Sequence, residues 1–275
     1  RTDDDEPRPV TTILSTHSPH IASVTPIRSI VLLRYDAEKD ASVAVSAAAA
    51  PLTPADVADL QRYIDVSRGE IFFARGVVLV EGDAEEFLVP AFADALGISL
   101  DELGISVCSV GGTNFTPYVK LLGRTGLLIP HVLLTDRDPN GAEPPFVRRR
   151  LINVLGAVEN GVNHEALDAD ALIVRATRLG YFVNSSTLEP ELFKGGLAEE
   201  MQTVITSELR LPRASRDLLQ GWVDNPDTLD QERLLGWIER IGKGRFAQSL
   251  APNVSEDSCP PYIRRALEHI RDAVS

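Results

Sequence analysis

Two pairs of carboxylates follow two apolar runs of the chain. Glu81 ends the run "GVVLV" and Glu85 comes four residues later, while Asp136 and Asp138 end the run "HVLLT" as "TDRD". A spacing of four across a tight turn at Gly82 would bring the two glutamates to one side. Residues two apart on a strand face the same way, so the aspartates can also converge. The sequence therefore predicts one carboxylate cluster.

A cluster of this kind has a limited chemistry. A lone acidic residue after a strand is commonly a helix cap or a solvated loop group. Four carboxylates together do not all stay ionised without cations. Oxygen-rich clusters suit Mg²⁺ or Mn²⁺, and two such ions about 4 Å apart can support phosphodiester cleavage.

The elements that carry these residues alternate between strand and helix. "GVVLVEG", "ISVCSVGG" and "HVLLTDRDPNG" are typical of buried strands, and "AEEFLVPAFADALG" and "TNFTPYVKLLGRTG" of the helices between them. Such alternation predicts an α/β fold with a parallel sheet, whose functional groups lie at the carboxyl ends of the strands.

The flanking segments differ in character. "TTILSTHSPHIA" predicts a strand ending in a polar loop, "SIVLLRY" a second strand, and the Ala- and Pro-rich stretch after it a connector into a helix. "FVRRRLINVLGAVENG" predicts a helix and "ALIVRATRLGYFV" a strand. From about residue 196 onward the apolar spacing is mainly helical, which predicts a second, mostly helical domain.

Composition narrows the class of protein. The net charge of −13 argues against a protein that wraps nucleic acid by charge alone, although bound cations would reverse the sign of a carboxylate site. No apolar run approaches the ~20 residues of a membrane span. Two cysteines, Cys108 and Cys259, favour reduced thiols and a cytoplasmic location. The polar start without Met is typical of the middle of a longer chain.

Several motifs resemble known families. "VVLVEGDAEE", "SVGGTNF" and "VLLTDRD" resemble the Toprim signature of topoisomerases, primases and nucleases. "ILSTHSPHIA" resembles the last strand and switch-histidine segment of an ABC-type ATPase, with His17 as the histidine. This combination is similar to the OLD (overcoming lysogenization defect) family endonucleases, and "STLEPELF" and "GKGRFAQ" also resemble segments of that family.

The resemblance implies a metal-dependent DNA endonuclease that uses two Mg²⁺ or Mn²⁺ ions to activate water and stabilise the leaving 3′-oxygen. It implies a further acidic metal position at Glu189 in "TLEPEL". It also implies a basic residue at Lys243 in "GKGRF", which would offset transition-state charge. The four carboxylates of the cluster match the Toprim acidic positions, namely Glu81, Glu85, Asp136 and Asp138.

The resemblance also implies a division of the chain. Residues 1–72 would be the end of an ABC-type ATPase region and a connector, 73–160 the Toprim catalytic core, and 161–275 the remainder of Toprim with a helical domain that completes the metal site. The sequence contains no Gly-x-x-x-x-Gly-Lys-[Ser/Thr] phosphate loop. ATP is therefore not expected as a cofactor of this fragment, and His17 is expected to have no catalytic role in it.

The expected partners are DNA and the N-terminal ATPase region of the same full-length chain, without a membrane. A homo-oligomer could form through the preceding region. The basic cluster at residues 148–150 is a hypothetical phosphate contact.

Two other functions remain open at this stage. One is another Toprim enzyme, a primase or a topoisomerase, although the five tyrosines show no flanking pattern typical of a nucleophile. The other is a non-catalytic regulatory module of an ABC-type ATPase with a degenerate site.

Overall fold

A parallel sheet lies at the centre of the structure, a computed structural model that describes residues 11–36, 39–64, 68–137 and 146–275. An antiparallel pair of strands precedes this sheet. The strands in chain order are β1 (Val31–Asp36), β2 (Ala41–Ser46), β3 (Gly76–Val80), β4 (Ile105–Ser109), β5 (His131–Thr135) and β6 (Tyr181–Val183). The first two form the antiparallel pair, and the parallel sheet has the order β4-β3-β5-β6.

Helices follow most of the strands and make up nearly all of the last third of the chain. In chain order they are α1 (Pro19–Val24), α2 (Pro54–Tyr63), α3 (Asp83–Ala95), α4 (Leu100–Leu103), α5 (Thr116–Leu122), α6 (Phe146–Val158), α7 (Ala169–Arg178), α8 (Leu188–Leu192), α9 (Ala198–Glu208), α10 (Arg213–Asp224), α11 (Gln231–Ile241), α12 (Lys243–Leu250) and α13 (Pro261–Val274). None of the helices within the described ranges is long and apolar enough to cross a membrane.

The apolar strand β3 is buried on both faces, as expected of a central strand in a parallel sheet. Its side chains alternate between two cores. Val78 and Val80 pack into the core shared with α3 and α13, and Val77 and Leu79 into the core shared with α5 and α6. The predicted α/β sheet flanked by helices is therefore confirmed.

The helices α9 to α13 extend the first of these cores. Trp222 and Trp237 lie 5.3 Å apart between ring centroids, and both belong to the same buried cluster as Val78. The predicted second, mostly helical part is confirmed. The predicted domain boundaries at residues 72 and 160 stay predictions.

Two local predictions are wrong. Residues 11–18 form no strand, because no strand among the described residues pairs with them, and a short helix follows at Pro19. Most of "ALIVRATRLGYFV" is helical rather than extended. Leu172 and Ala176, four residues apart, are buried on one face of α7, and the Asp168 side chain caps its start by accepting from Ala171 N.

Candidate metal centre

A cleft of about 200 Å³ opens at the carboxyl ends of β3 and β5. It brings together five of the six residues that the sequence singled out, and the sixth, Asp138, lies outside the described residues. These five are Glu81, Glu85, Asp136, Glu189 and Lys243. The rest of the lining comes from Gly82, Asp83, Ala84, Gly112 and Leu188.

The turn from β3 into α3 places two of the carboxylates. Glu81 follows the last residue of β3, and Glu85 lies in the first turn of α3, so both face the cleft as the spacing predicts. Gly82 is extended, with φ of −154°. A Cβ atom there would lie in ordinary contact, 3.8 Å from Glu85 Oε2. The turn therefore brings the two glutamates to the cleft without a backbone conformation that only glycine adopts.

A network of donors holds Glu81 against the end of β5. Its Oε1 accepts from the Asp136 backbone N at 3.0 Å, from Arg150 Nη1 at 2.8 Å and from the Thr135 hydroxyl. Arg150 comes from α6, is 8% exposed, and also donates to the Asp136 backbone carbonyl at 2.9 Å. The network joins the carboxyl ends of the two strands.

Asp136 is fixed from the side of β6 and α8. Its Oδ1 accepts from Asn184 Nδ2 at 3.0 Å, and its Oδ2 accepts from the Leu188 backbone N at 3.3 Å. Burial, and next the charge of Glu81, raise the pKa of Asp136 to about 7, against the lowering effect of the Asn184 hydrogen bond. This carboxyl group is therefore partly protonated near neutral pH in the metal-free protein.

Glu85 is only 7% exposed. Burial is the largest cause that raises its pKa, to about 8, and the neighbouring charge of Asp136 raises it further. Without a cation, Glu85 is therefore protonated at neutral pH. Such a shift within a cleft is characteristic of functional sites.

Glu189 and Lys243 close the cleft from the helical part of the chain. Glu189 lies in α8 and is 2% exposed, and its Oε1 is 3.2 Å from Lys243 Nζ. Its Oε2 is buried without a hydrogen-bond partner among the described residues. Burial is the largest single influence on the pKa of Lys243 and lowers it, but the charge and hydrogen bond of Glu189, together with the charges of Asp136 and Glu85, outweigh it and the net shift is upward.

The start of α12 carries Lys243 and packs closely on α3. A Cβ atom at Gly244 would lie 3.0 Å from the Asp83 Cβ, so glycine permits this approach. Gly242 has φ of +94°, a conformation that side chains other than glycine rarely adopt. The two glycines therefore allow the backbone path that places Lys243 at the cleft.

The donor set fits hard divalent cations. Every candidate ligand is a carboxylate, two of them have raised pKa values, and the buried Glu189 Oε2 lacks a partner among the residues that the structure describes. Within the described ranges, no three His, Cys, Asp or Glu side chains are grouped as a metal site. Several of the carboxylate oxygens instead accept hydrogen bonds from protein donors, and Glu189 pairs with Lys243.

Three residues of the site were missed from the sequence. Thr135 directly precedes Asp136, and Asn184 directly follows β6, so the carboxyl-end rule could have found both. Arg150 had no such signal, because it appeared only within the basic cluster. The structure separates that cluster: Arg150 is buried at the site, Arg148 donates to the carbonyls of Leu167 and Glu165, and Arg149 is exposed.

Parts of the chain are similar to known proteins. A family model described as "Overcoming lysogenization defect protein-like, TOPRIM domain" matches residues 72–138. The Escherichia coli (strain K12) protein YbjD is 28% identical over 145 residues, which is 53% of this chain and 26% of that protein. The match thus spans about a quarter of the length of this curated relative.

The chain is also similar to solved structures. The C-terminal region of the Xanthomonas campestris pv. campestris OLD protein is 68% identical, with a TM-score of 0.71, over 74% of this chain and 96% of that chain. The C-terminal region of the Burkholderia pseudomallei OLD protein is 58% identical, with a TM-score of 0.71, over 74% of this chain and all of that one (100%). The chain therefore belongs to the OLD family and corresponds to the Toprim-containing C-terminal region of its members.

Proposed function

We propose that this chain is the nuclease region of an ATPase–nuclease and cleaves DNA phosphodiester bonds with two Mg²⁺ or Mn²⁺ ions. The observation that supports this proposal most strongly is that four carboxylates and one lysine converge in a single cleft at the carboxyl ends of β3 and β5. Membership of the OLD family also supports a metal-dependent activity, since Toprim domains generally bind divalent metals.

The carboxylates would hold the ions. When bound, the ions would supply Lewis acidity to a water molecule and to the leaving oxygen. Glu85 and Asp136, whose pKa values are about 8 and 7, would give up their protons to become ligands. The proposed ligand set is Glu81, Glu85, Asp136, Asp138 and Glu189.

Lys243 would act on the phosphate rather than on the ions. Its Nζ borders the cleft, and its side chain is 48% exposed, so it can reach a substrate that enters from solvent. The charge of Glu189 favours the protonated form of Lys243, and the net shift of the Lys243 pKa is upward. A fixed ammonium at this place would offset negative charge that develops on the scissile phosphate.

The wider context is also part of the proposal. DNA would be the substrate, and the N-terminal ATPase region of the full-length chain would be the partner in cis, in a cytoplasmic protein. His17 is exposed, and no role is proposed for it in this chain. A homo-oligomer would form through the preceding region.

A nuclease assay tests the proposal. Supercoiled plasmid is incubated with the protein in Mg²⁺, Mn²⁺ or Ca²⁺, with EDTA as the control. Nicked or linear product in Mn²⁺ or Mg²⁺, and none in EDTA, is the expected result. Cleavage that persists in EDTA would contradict metal dependence, and the lack of any Mn²⁺ binding by calorimetry would point to a non-catalytic module.

A topoisomerase is not favoured by the tyrosines near the site. Tyr262 in α13 is the tyrosine whose pKa the cleft carboxylates raise, but burial is the largest cause of that shift. It is 3% exposed and cannot reach DNA as placed. Absence of a covalent protein–DNA adduct after denaturation would support hydrolysis, whereas a trapped adduct would favour a topoisomerase.

A further inference from the structure

We propose that Arg150 is a positioning residue of the metal centre, which locks the Glu81 carboxylate against the end of β5 before a metal ion binds. The inference rests on the proposed function. It assigns a role to a residue of α6 that the carboxylate pattern did not single out.

The evidence for this role is the set of contacts that one guanidinium nitrogen makes. Arg150 Nη1 contacts Glu81 Oε1 at 2.8 Å, the Asp136 backbone carbonyl at 2.9 Å, and the Thr135 hydroxyl. Glu81 follows β3, whereas Thr135 and Asp136 end β5. A single guanidinium nitrogen therefore ties together the two strand ends whose carboxylates are the proposed ligands.

Burial makes this tie rigid. The Arg150 side chain is 7% exposed and the Glu81 side chain 18%, so solvent screens their interaction little. The Asp136 carbonyl and the Thr135 hydroxyl, which also accept from Arg150, are not proposed ligands. The guanidinium thus has anchors that do not depend on Glu81 and can orient it, as outer hydrogen-bond partners orient metal ligands.

Charge alone would not need this arrangement. A lysine could offset the negative charge of Glu81, but its ammonium is carried on a flexible four-carbon stem, whereas the guanidinium is rigid and planar, so lysine would not hold the donor nitrogen in the same place. The positioning role therefore predicts that the shape of the guanidinium matters in addition to its charge.

The test measures Mn²⁺ binding directly, by calorimetry and by the electron paramagnetic resonance signal of free Mn²⁺, in addition to cleavage. Arg150→Met should weaken Mn²⁺ binding about tenfold. Arg150→Lys keeps the charge and is expected to fold, and it should still bind Mn²⁺ several-fold more weakly than the wild type. Unchanged affinity in Arg150→Lys would show that charge suffices and would overturn the inference.

A double-mutant cycle separates positioning from general damage. In a Glu81→Gln background the carboxylate that Arg150 orients is gone, so adding Arg150→Met should change Mn²⁺ affinity less than about threefold. An equal loss in both backgrounds would show that Arg150 acts through the fold as a whole. A gain in affinity for Arg150→Met would show that the guanidinium competes with the cation, and would also overturn the inference.

Arg148→Met is the matched control. Arg148 lies on the same helix two residues earlier and donates to the carbonyls of Leu167 and Glu165, away from the cleft. Its loss should leave Mn²⁺ affinity unchanged, and a tenfold loss there would remove the specificity of the Arg150 result. Wild-type protein that binds no Mn²⁺ would overturn the proposed function and this inference together, whereas wild-type binding with an unaffected Arg150→Met would overturn this inference alone.

Discussion

Glu189 Oε1 lies 3.2 Å from Lys243 Nζ, while Glu189 Oε2 is buried without a hydrogen-bond partner in the described part of the chain. A buried acceptor that lacks a partner is costly, so this oxygen favours a ligand that supplies positive charge. The pair also joins the proposed metal ligands to the proposed phosphate contact. The Glu189 carboxylate thus contacts the proposed phosphate-binding lysine through Oε1 and offers Oε2 to a proposed metal ion.

Replacing Lys243 should separate catalysis from metal binding. Lys243→Ala is expected to slow plasmid cleavage about 10²–10³-fold, because the charge that offsets the scissile phosphate is lost. Mn²⁺ affinity should change far less, since Lys243 is not a ligand. Arg245→Ala is the control, because Arg245 lies two residues on, is exposed and pairs with Glu208. Equal rates for Lys243→Ala and the wild type would remove Lys243 from the mechanism.

Mn²⁺ binding should release protons and tighten as pH rises. The pKa values of about 8 for Glu85 and about 7 for Asp136 mean that both groups hold protons at pH 6 in the metal-free protein. A cation must displace these protons, so affinity should climb from pH 6 to pH 9 and then level off. Calorimetry at pH 7 in two buffers of different ionisation enthalpy should report roughly one to two protons released. No release would show that the carboxylates are already ionised.

Glu85 should destabilise the metal-free protein at high pH. Its folded-state pKa of about 8 lies above the ordinary value of 4.5, so the folded protein binds the proton more tightly than the unfolded chain. The contribution of this group to stability therefore falls as pH rises from about 4.5 to about 8.

The matching variant is Glu85→Gln, measured by thermal unfolding in EDTA. At pH 9 it should melt about 3 °C or more above the wild type, and the difference should shrink towards pH 5. Glu239→Gln, at an exposed position of α11, should show no such gain. A Glu85→Gln protein that melts below the wild type at pH 9 would contradict the buried, desolvated carboxylate.

Gly244 should control where Lys243 lies. In Gly244→Ala the new Cβ would lie 3.0 Å from the Asp83 Cβ and 3.6 Å from the Phe87 ring, so Asp83 or the start of α12 must give by a few tenths of an ångström. Cleavage should fall at least about tenfold, because small displacements of a positioned group are costly. Gly236→Ala in α11 meets no atom within 4 Å, and it should keep activity. Similar activities for the two variants would refute the close-approach argument.

The residues that could be predicted from sequence are those whose position follows from one strand end. Glu81 and Asp136 follow apolar strands, and the parallel arrangement of β3 and β5 brings them together. Only the family resemblance predicts Glu189 and Lys243 as site residues, because their approach to the cleft depends on how α8 and α12 pack on the sheet edge.

Other features could not be predicted because they depend on tertiary contacts. Arg150 reaches the site through the packing of α6, which no local pattern encodes. The helix α7 was mistaken for a strand because Ile173, Val174 and the neighbouring Leu172 resemble a strand run locally, although only Leu172 of these is fully buried. Asp138 stays a prediction, since it lies outside the described residues.

The carboxylate cleft is the proposed site of DNA cleavage. The most direct measurement is the rate of supercoiled plasmid cleavage in Mn²⁺ by the wild type and by Asp136→Asn, with folding of both verified by thermal unfolding. Asparagine matches aspartate in size but removes the charge, so the variant should be at least about 10²-fold slower. Cleavage by Asp136→Asn at the wild-type rate would contradict the account.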